Sequence, residues 1–151
     1  MFKKFNVVDW FILLFLILII GFAFLKVTST LDTQNHIEAI VTFEAEEQPM
    51  GLINAIAIGD SLYDSSRDTY IGEVVSVDYT EYKELIKNDL DEMEYKAIPD
   101  KYNAIVQVKV ELEDSELGLS VGNRRIIIGT SVRVKSRSYV FDGDVVDLEI
   151  Q

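Results

Sequence analysis

The chain of 151 residues contains no cysteine. Disulfides, thiolate nucleophiles, cysteine-based zinc sites and redox motifs are therefore excluded, and any domain it forms must hold together by its core alone. Histidine is nearly absent as well: His36 stands alone. One imidazole cannot build a histidine-based zinc site, and no serine or cysteine nucleophile motif surrounds it, so it reads as a surface residue. Nucleophile elbow, HExxH and glycine-rich phosphate loop are all missing. Basic residues are few, 14 against 26 acidic, a net charge of −12. So acidic a chain repels nucleic acid and anionic bilayer surfaces, and its charge is read as solubility.

What the chain does have is one long apolar run. Trp10 to Leu25, WFILLFLILIIGFAFL, carries no charge and no side-chain hydrogen-bonding group except the indole. From Val7 to Val27 a helix would measure about 31 Å, which matches the ~30 Å hydrocarbon layer. A core helix of a soluble domain keeps a polar face, and this segment has none. Lys3 and Lys4 precede it as in a signal peptide, but Lys26 to Thr30 offers no A-x-A-like cleavage site. The reading is an uncleaved signal anchor over residues 7–27, with Asp9 and Trp10 at one interface and Lys26 snorkelling at the other. Asn6 is placed to cap the helix by accepting from the amide of Asp9, whose charge suits the positive end of the dipole. Positive charge at the N-terminus keeps residues 1–6 in the cytoplasm and sends the remainder outside the membrane. Eleven basic and 25 acidic residues follow the span once Lys3, Lys4, Lys26 and Asp9 are set aside, a net of −14.

Residues 28–36 are a polar, aperiodic linker, and 37–151 are enough for one modest extracytoplasmic domain. Ile37, Ala39, Val41, Phe43 and Ala45 alternate with polar residues, Ile40 excepted. Tyr102, Ala104, Val106, Val108, Val110 and Leu112 do the same, giving two long half-buried strands. Gln48-Pro49-Met50-Gly51 breaks the first, and Leu52 to Ala57 fits either a short helix or a strand. Ile58-Gly59-Asp60-Ser61-Leu62 and Ile128-Gly129-Thr130-Ser131-Val132 share a pattern, and each leads to a Gly-acid-Val-Val segment, at Gly72 and Gly143. The approximate repeat, 58–78 and 128–150, predicts two hairpins. Gly59 and Gly129 suit turns, Gly72 and Gly143 close crossings of strands. Between them Tyr82, Leu85, Ile86, Leu90 and Met93 recur at helical spacing after Thr80 and predict an amphipathic helix over 80–93, whose apolar stripe covers the β core or meets a partner. The expected fold is thus one transmembrane helix plus an all-β, mainly antiparallel small barrel or sandwich with one inserted helix.

The Lys4, Asn6 and Asp9 pattern before the anchor, Ile58-Gly59-Asp60, Gly72-Glu73-Val74-Val75 and Gly143-Asp144-Val145-Val146 together resemble the bacterial family catalogued as domain of unknown function 4330. That resemblance covers nearly the whole chain, implies a single-pass envelope protein and carries over no activity. Ile58-Gly59-Asp60-Ser61-Leu62 followed by Gly72-Glu73-Val74 is also similar to the MCE domain of lipid-transport proteins, which follows an N-terminal transmembrane helix. The chain departs from that family in having no hydrophobic pore loop and no long C-terminal helix.

No catalytic residue, metal ligand or cofactor is assigned. Asp64 with Asp68 and Asp142 with Asp144 read as turn formers and lack the spacing of a calcium loop. The expected function is a non-catalytic, membrane-anchored interaction or scaffold subunit of a cell-envelope biogenesis or export complex. Its partners are the bilayer through 7–27 and an envelope or membrane protein, with a homo-oligomer as a further possibility and nucleic acid excluded. Two alternatives are an MCE-like oligomer that binds lipid or glycan, and a carboxylate- or metal-dependent envelope enzyme.

Overall fold

The computed structural model describes Trp10, residues 13–20 and residues 35–151. The chain divides into two units, Met1–Gln34 and Asn35–Gln151. In the first, Trp10 and residues 13–20 are helical. Among the described residues no helix is long and apolar enough to cross a membrane. Asn6, Asp9, Lys26 and both ends of the expected 7–27 span lie outside the described residues.

The second unit is an antiparallel sheet of eight strands with one short helix. The strands are β1 (Asn35–Gln48), β2 (Ser61–Asp64), β3 (Tyr70–Lys87), β4 (Met93–Ser115), β5 (Gly118–Val121), β6 (Arg124–Arg125), β7 (Ser131–Lys135) and β8 (Val140–Ile150). The helix, α1 (Met50–Ala55), follows β1. Of the undecided segment, Leu52 to Ala55 are therefore helical, and Ile56 and Ala57 lie beyond the helix. Pro49 starts it with an extended backbone and no amide to lose, as proline does at a helix entrance.

Neighbouring strands run β1-β8-β7-β2-β3-β4, and β1 pairs with β4, so the sheet closes on itself as a six-stranded barrel with the β5-β6 hairpin hanging from β4. The alternation read in the sequence supplies the interior. Ala39, Val41, Phe43 and Ala45 of β1 face Ala104 to Leu112 of β4 across a continuous register, Ala45↔Ala104 through Ile37↔Leu112. Phe43, Leu62 and Leu112 are the largest fully buried apolar side chains. Each contributes roughly 1.5–3 kcal/mol of hydrophobic stabilisation. Because β1 and β4 are antiparallel, α1 and the β5-β6 hairpin lie at opposite ends of the barrel. Ile53 of α1 and Val121 of β5 join the same buried cluster.

The two repeated segments have matching backbone geometry. Gly59 (φ +91°) and Gly129 (φ +88°) occupy the left-handed region. The Gly59 amide donates to Val74 O at 2.8 Å and the Val74 amide to Asp60 O at 3.0 Å; the Gly129 amide donates to Val145 O at 2.7 Å and the Val145 amide to Thr130 O at 3.0 Å. Ring order extends the match. Each half contributes a long strand and a hairpin, the last strand of each half pairs with the first strand of the other, and the two first strands pair together.

The expected helix over 80–93 is absent. Those residues belong to β3, a turn and the start of β4, which pair as far as Lys87↔Met93. The apolar positions 82, 85, 86, 90 and 93 fit a helix when read along one strand. The tie is broken by the Asn88 carboxamide, which accepts from the Leu90 amide at 2.9 Å and the Glu92 amide at 3.0 Å and closes a turn with Asp91 at φ +67°.

Candidate functional site

The connection between the two halves of the barrel is not a loop but a ribbon. Past Glu81↔Tyr102 the paired strands β3 and β4 leave the barrel and continue alone to the turn at residues 88–92. One face of this arm carries Lys83, Leu85 and Lys87 opposite Ala97, Tyr95 and Met93. Tyr95 is 74% exposed, Met93 60%, and Leu90 at the tip 78%. Tyr79 and Tyr102 meet edge to face at the root, 5.5 Å between ring centres. Of the residues that sequence alone nominated as a partner surface, Tyr82, Leu85, Ile86, Leu90 and Met93 all lie on the arm. They do not form one stripe. Leu85 and Met93 share a face, Ile86 pairs with Glu94 on the other, and Leu90 sits in the turn.

The arm's outer edges differ. On β4, residues 98–101 bulge opposite the single residue Tyr82, with Pro99 in the bulge and Asp100 at φ +60°. Proline and a bulge blunt an edge against further pairing. On β3, no strand pairs with the outer side beyond Val74 among the described residues, and the strand runs without an inserted residue from Ser76 to Lys87.

Polar clusters elsewhere are tied up in the architecture. Asp64 is fully buried on β2, where it opposes Val134 of β7. Its carboxylate accepts from the Ser66 amide at 2.8 Å, from the Ser66 hydroxyl and from Arg124 Nη1 at 2.7 Å. Arg124 Nη2 also donates to Ser131 O at 3.0 Å, so this one guanidinium fastens the β5-β6 hairpin to both β2 and β7. Burial works against the charged carboxylate, but the hydrogen bonds from Ser66 and Arg124 outweigh it and lower its pKa from 3.8 to about 2. Asp68, the other member of the first carboxylate pair, turns outward to Lys135 at 2.7 Å. Asp142 holds Arg133 through two bonds of 2.8 Å. Tyr139 donates to Asp60 Oδ2 at 2.8 Å, and burial followed by that bond pushes its phenol upward. The partnerships of Asp64 with Arg124 and Asp60 with Tyr139 join residues 60 and 79 positions apart, and no local pattern signals them.

Two surface grooves accompany these pairs. One, of about 280 Å³, is lined by Glu38, Tyr70, Glu73, Lys109, Val110 and Glu111, with Lys109 bonded to Glu38 at 2.8 Å. The other, of about 490 Å³, lies beside the Arg133–Asp142 pair. His36 is exposed and stands 3.5 Å from Glu111. Among the described residues no three His, Asp or Glu side chains converge as a metal-holding group. Every buried side-chain nitrogen or oxygen described has a hydrogen-bond partner.

The four glycines of the repeat serve the backbone. A Cβ on Gly72 would stand 2.1 Å from Lys109 O, and one on Gly143 would stand 3.0 Å from the Phe141 ring. Trp10, the nominated interface residue that is described, is helical and exposed.

A family model for a domain of unknown function (DUF4330) matches residues 1–149. No curated protein and no solved structure matches the chain.

Proposed function

The chain belongs to the DUF4330 family, and for this member we propose a non-catalytic, membrane-anchored interaction subunit of a cell-envelope assembly, with the β3-β4 arm as its contact surface. The observation that carries this reading is the arm itself. A two-stranded ribbon standing alone is marginal in water, yet this one exposes Leu85, Leu90, Met93 and Tyr95. Burial of such side chains is what a protein partner supplies. The barrel interior is filled with side chains, and its described buried side-chain polar atoms all have hydrogen-bond partners, which fits a rigid platform for the arm.

Anchorage is supported by the first unit. Leu13 to Ile20, eight consecutive apolar residues, are helical and 50% to 67% exposed all round. In water that surface is costly, and in hydrocarbon it is at home. With Lys3 and Lys4 ahead of the run, the barrel is assigned to the extracytoplasmic side.

The test is gentle detergent extraction of the full-length chain and of a variant with residues 82–101 replaced by Asn-Gly, followed by mass photometry. The intact chain is expected in a species of fixed stoichiometry larger than a monomer, and the armless variant as a monomer. Equal masses for the two would overturn the assignment of the arm. Protease added to intact spheroplasts checks topology: digestion of the barrel is expected, and full protection would reverse the orientation.

A further inference from the structure

Resting on the reading of the arm as a contact surface, we propose that its occupant is a second copy of this chain, joined edge to edge along β3 in antiparallel register about Tyr82. Three observations lead there. Among the described residues only one edge of the ribbon is open without interruption: β4 is broken by the bulge at residues 98–101, whereas β3 continues from Ser76 to Lys87 with its outer side unpaired. A strand with one free side pairs most readily with another extended strand. The open edge is also self-complementary. An antiparallel pairing of two identical strands about residue 82 sets Glu81 opposite Lys83 of the other copy, twice by symmetry, and Tyr79 opposite Leu85.

Among the registers centred on residues 80 to 84, this one alone opposes unlike charges without opposing like ones. Centring on Glu81, Lys83 or Glu84 places each of those charges against itself, and centring on Thr80 opposes no charges within the open stretch from Ser76 to Lys87, since Glu73, which would meet Lys87, already pairs with Ser61. Unlike charges directly across a strand pair are favourable and like charges are not. The pairing also completes a surface. Tyr95, Leu85 and Tyr79 of the other copy fall in one row on the same face of a four-stranded sheet, past the three strands at which a sheet gains independent stability. Isologous contacts of this kind are the commonest way in which identical chains associate.

The absence of cysteine makes the test direct. Full-length Tyr82→Cys and Leu90→Cys are compared by mild oxidation in native membranes and non-reducing electrophoresis. At the symmetry centre two copies of residue 82 stand about 5 Å apart between Cα atoms, within disulfide reach. Residue 90 lies in the turn beyond Lys87, which is itself five positions from the centre, so its two copies are separated by more than about 30 Å. A disulfide-linked homodimer from Tyr82→Cys, and none from Leu90→Cys, is the expected result. No homodimer from Tyr82→Cys, or equal cross-linking of both, overturns the proposal.

A second pair of variants does not depend on cysteine geometry. Glu81→Lys is expected to weaken self-association roughly tenfold, and adding Lys83→Glu to restore it. Two charge changes that leave the oligomer mass untouched also overturn it. If a heavier species still vanishes on removal of the arm but contains no second copy, self-pairing falls while the contact reading stands; if the arm changes nothing, both fall.

Discussion

Asp64 is the residue on which the β2-β7 seam depends. The two strands share only the pairs Tyr63↔Lys135 and Asp64↔Val134, and a fully buried carboxylate at such a seam is tolerated because Arg124 meets it at 2.7 Å. Removing one member of a buried pair is far more damaging than never having had it. Arg124→Ala is expected to cost about 3–5 kcal/mol, measured by urea unfolding, whereas the double variant Asp64→Leu/Arg124→Leu should lie much closer to the parent. If the double variant were as unstable as the single one, packing rather than charge would explain the loss. The same group sets an acid limit. Its folded pKa of about 2 lies below the ordinary aspartate value of 3.8, so its contribution is present above pH 4 and is lost as the pH falls from 4 toward 2. Asp64→Asn should flatten that part of the stability profile. Gly72 is a second such point, because its missing Cβ makes room for Lys109 O. Gly72→Ala should destabilise by about 1–3 kcal/mol or more, whereas Gly51→Ala, which meets nothing within 4 Å, should change little.

At the scale of elements, legibility tracks how local the deciding interaction is. Alternation at Ala39, Val41 and Phe43, and again from Ala104 to Leu112, is a property of each strand by itself, and both strands stand where the pattern put them. The arm reads as a helix from sequence because Tyr82, Leu85, Ile86, Leu90 and Met93 satisfy helical spacing. Their strand character rests on cross-strand partners such as Leu85↔Tyr95 that no window along the chain displays. The one local sign was Asn88-Asp89, a turn pair in the middle of the supposed helix. The β5-β6 hairpin left still less trace, since its anchor Arg124 finds Asp64 sixty residues away. As an independent element the arm should be dispensable for folding. Replacing residues 82–101 with Asn-Gly keeps the pair Glu81↔Tyr102 as the last rung of a hairpin, and a two-residue Asn-Gly turn suits that geometry. Circular dichroism is expected to give a melting temperature within a few degrees of the parent; a large drop would mean that the arm braces the barrel.

At the scale of the whole domain, the exchange of strands between halves decides how it comes apart. Residues before the arm supply β1, β2 and β3, residues after it supply β4, β7 and β8, and yet β3 pairs with β4 while β8 pairs with β1. The last strand of each half has one of its two neighbours in the other half, and β1 with β4 forms the longest register in the barrel. Two similar halves in sequence are therefore one unit in energy. Hydrogen exchange should report this: amides such as those of Val74 and Val145, which make equivalent bonds in the two turns, are expected to open together at the free energy of global unfolding. Exchange of one set at a markedly lower free energy would mean that a half detaches by itself. Joint opening would instead make the barrel a single rigid block, from which the arm emerges at the point where the halves are joined.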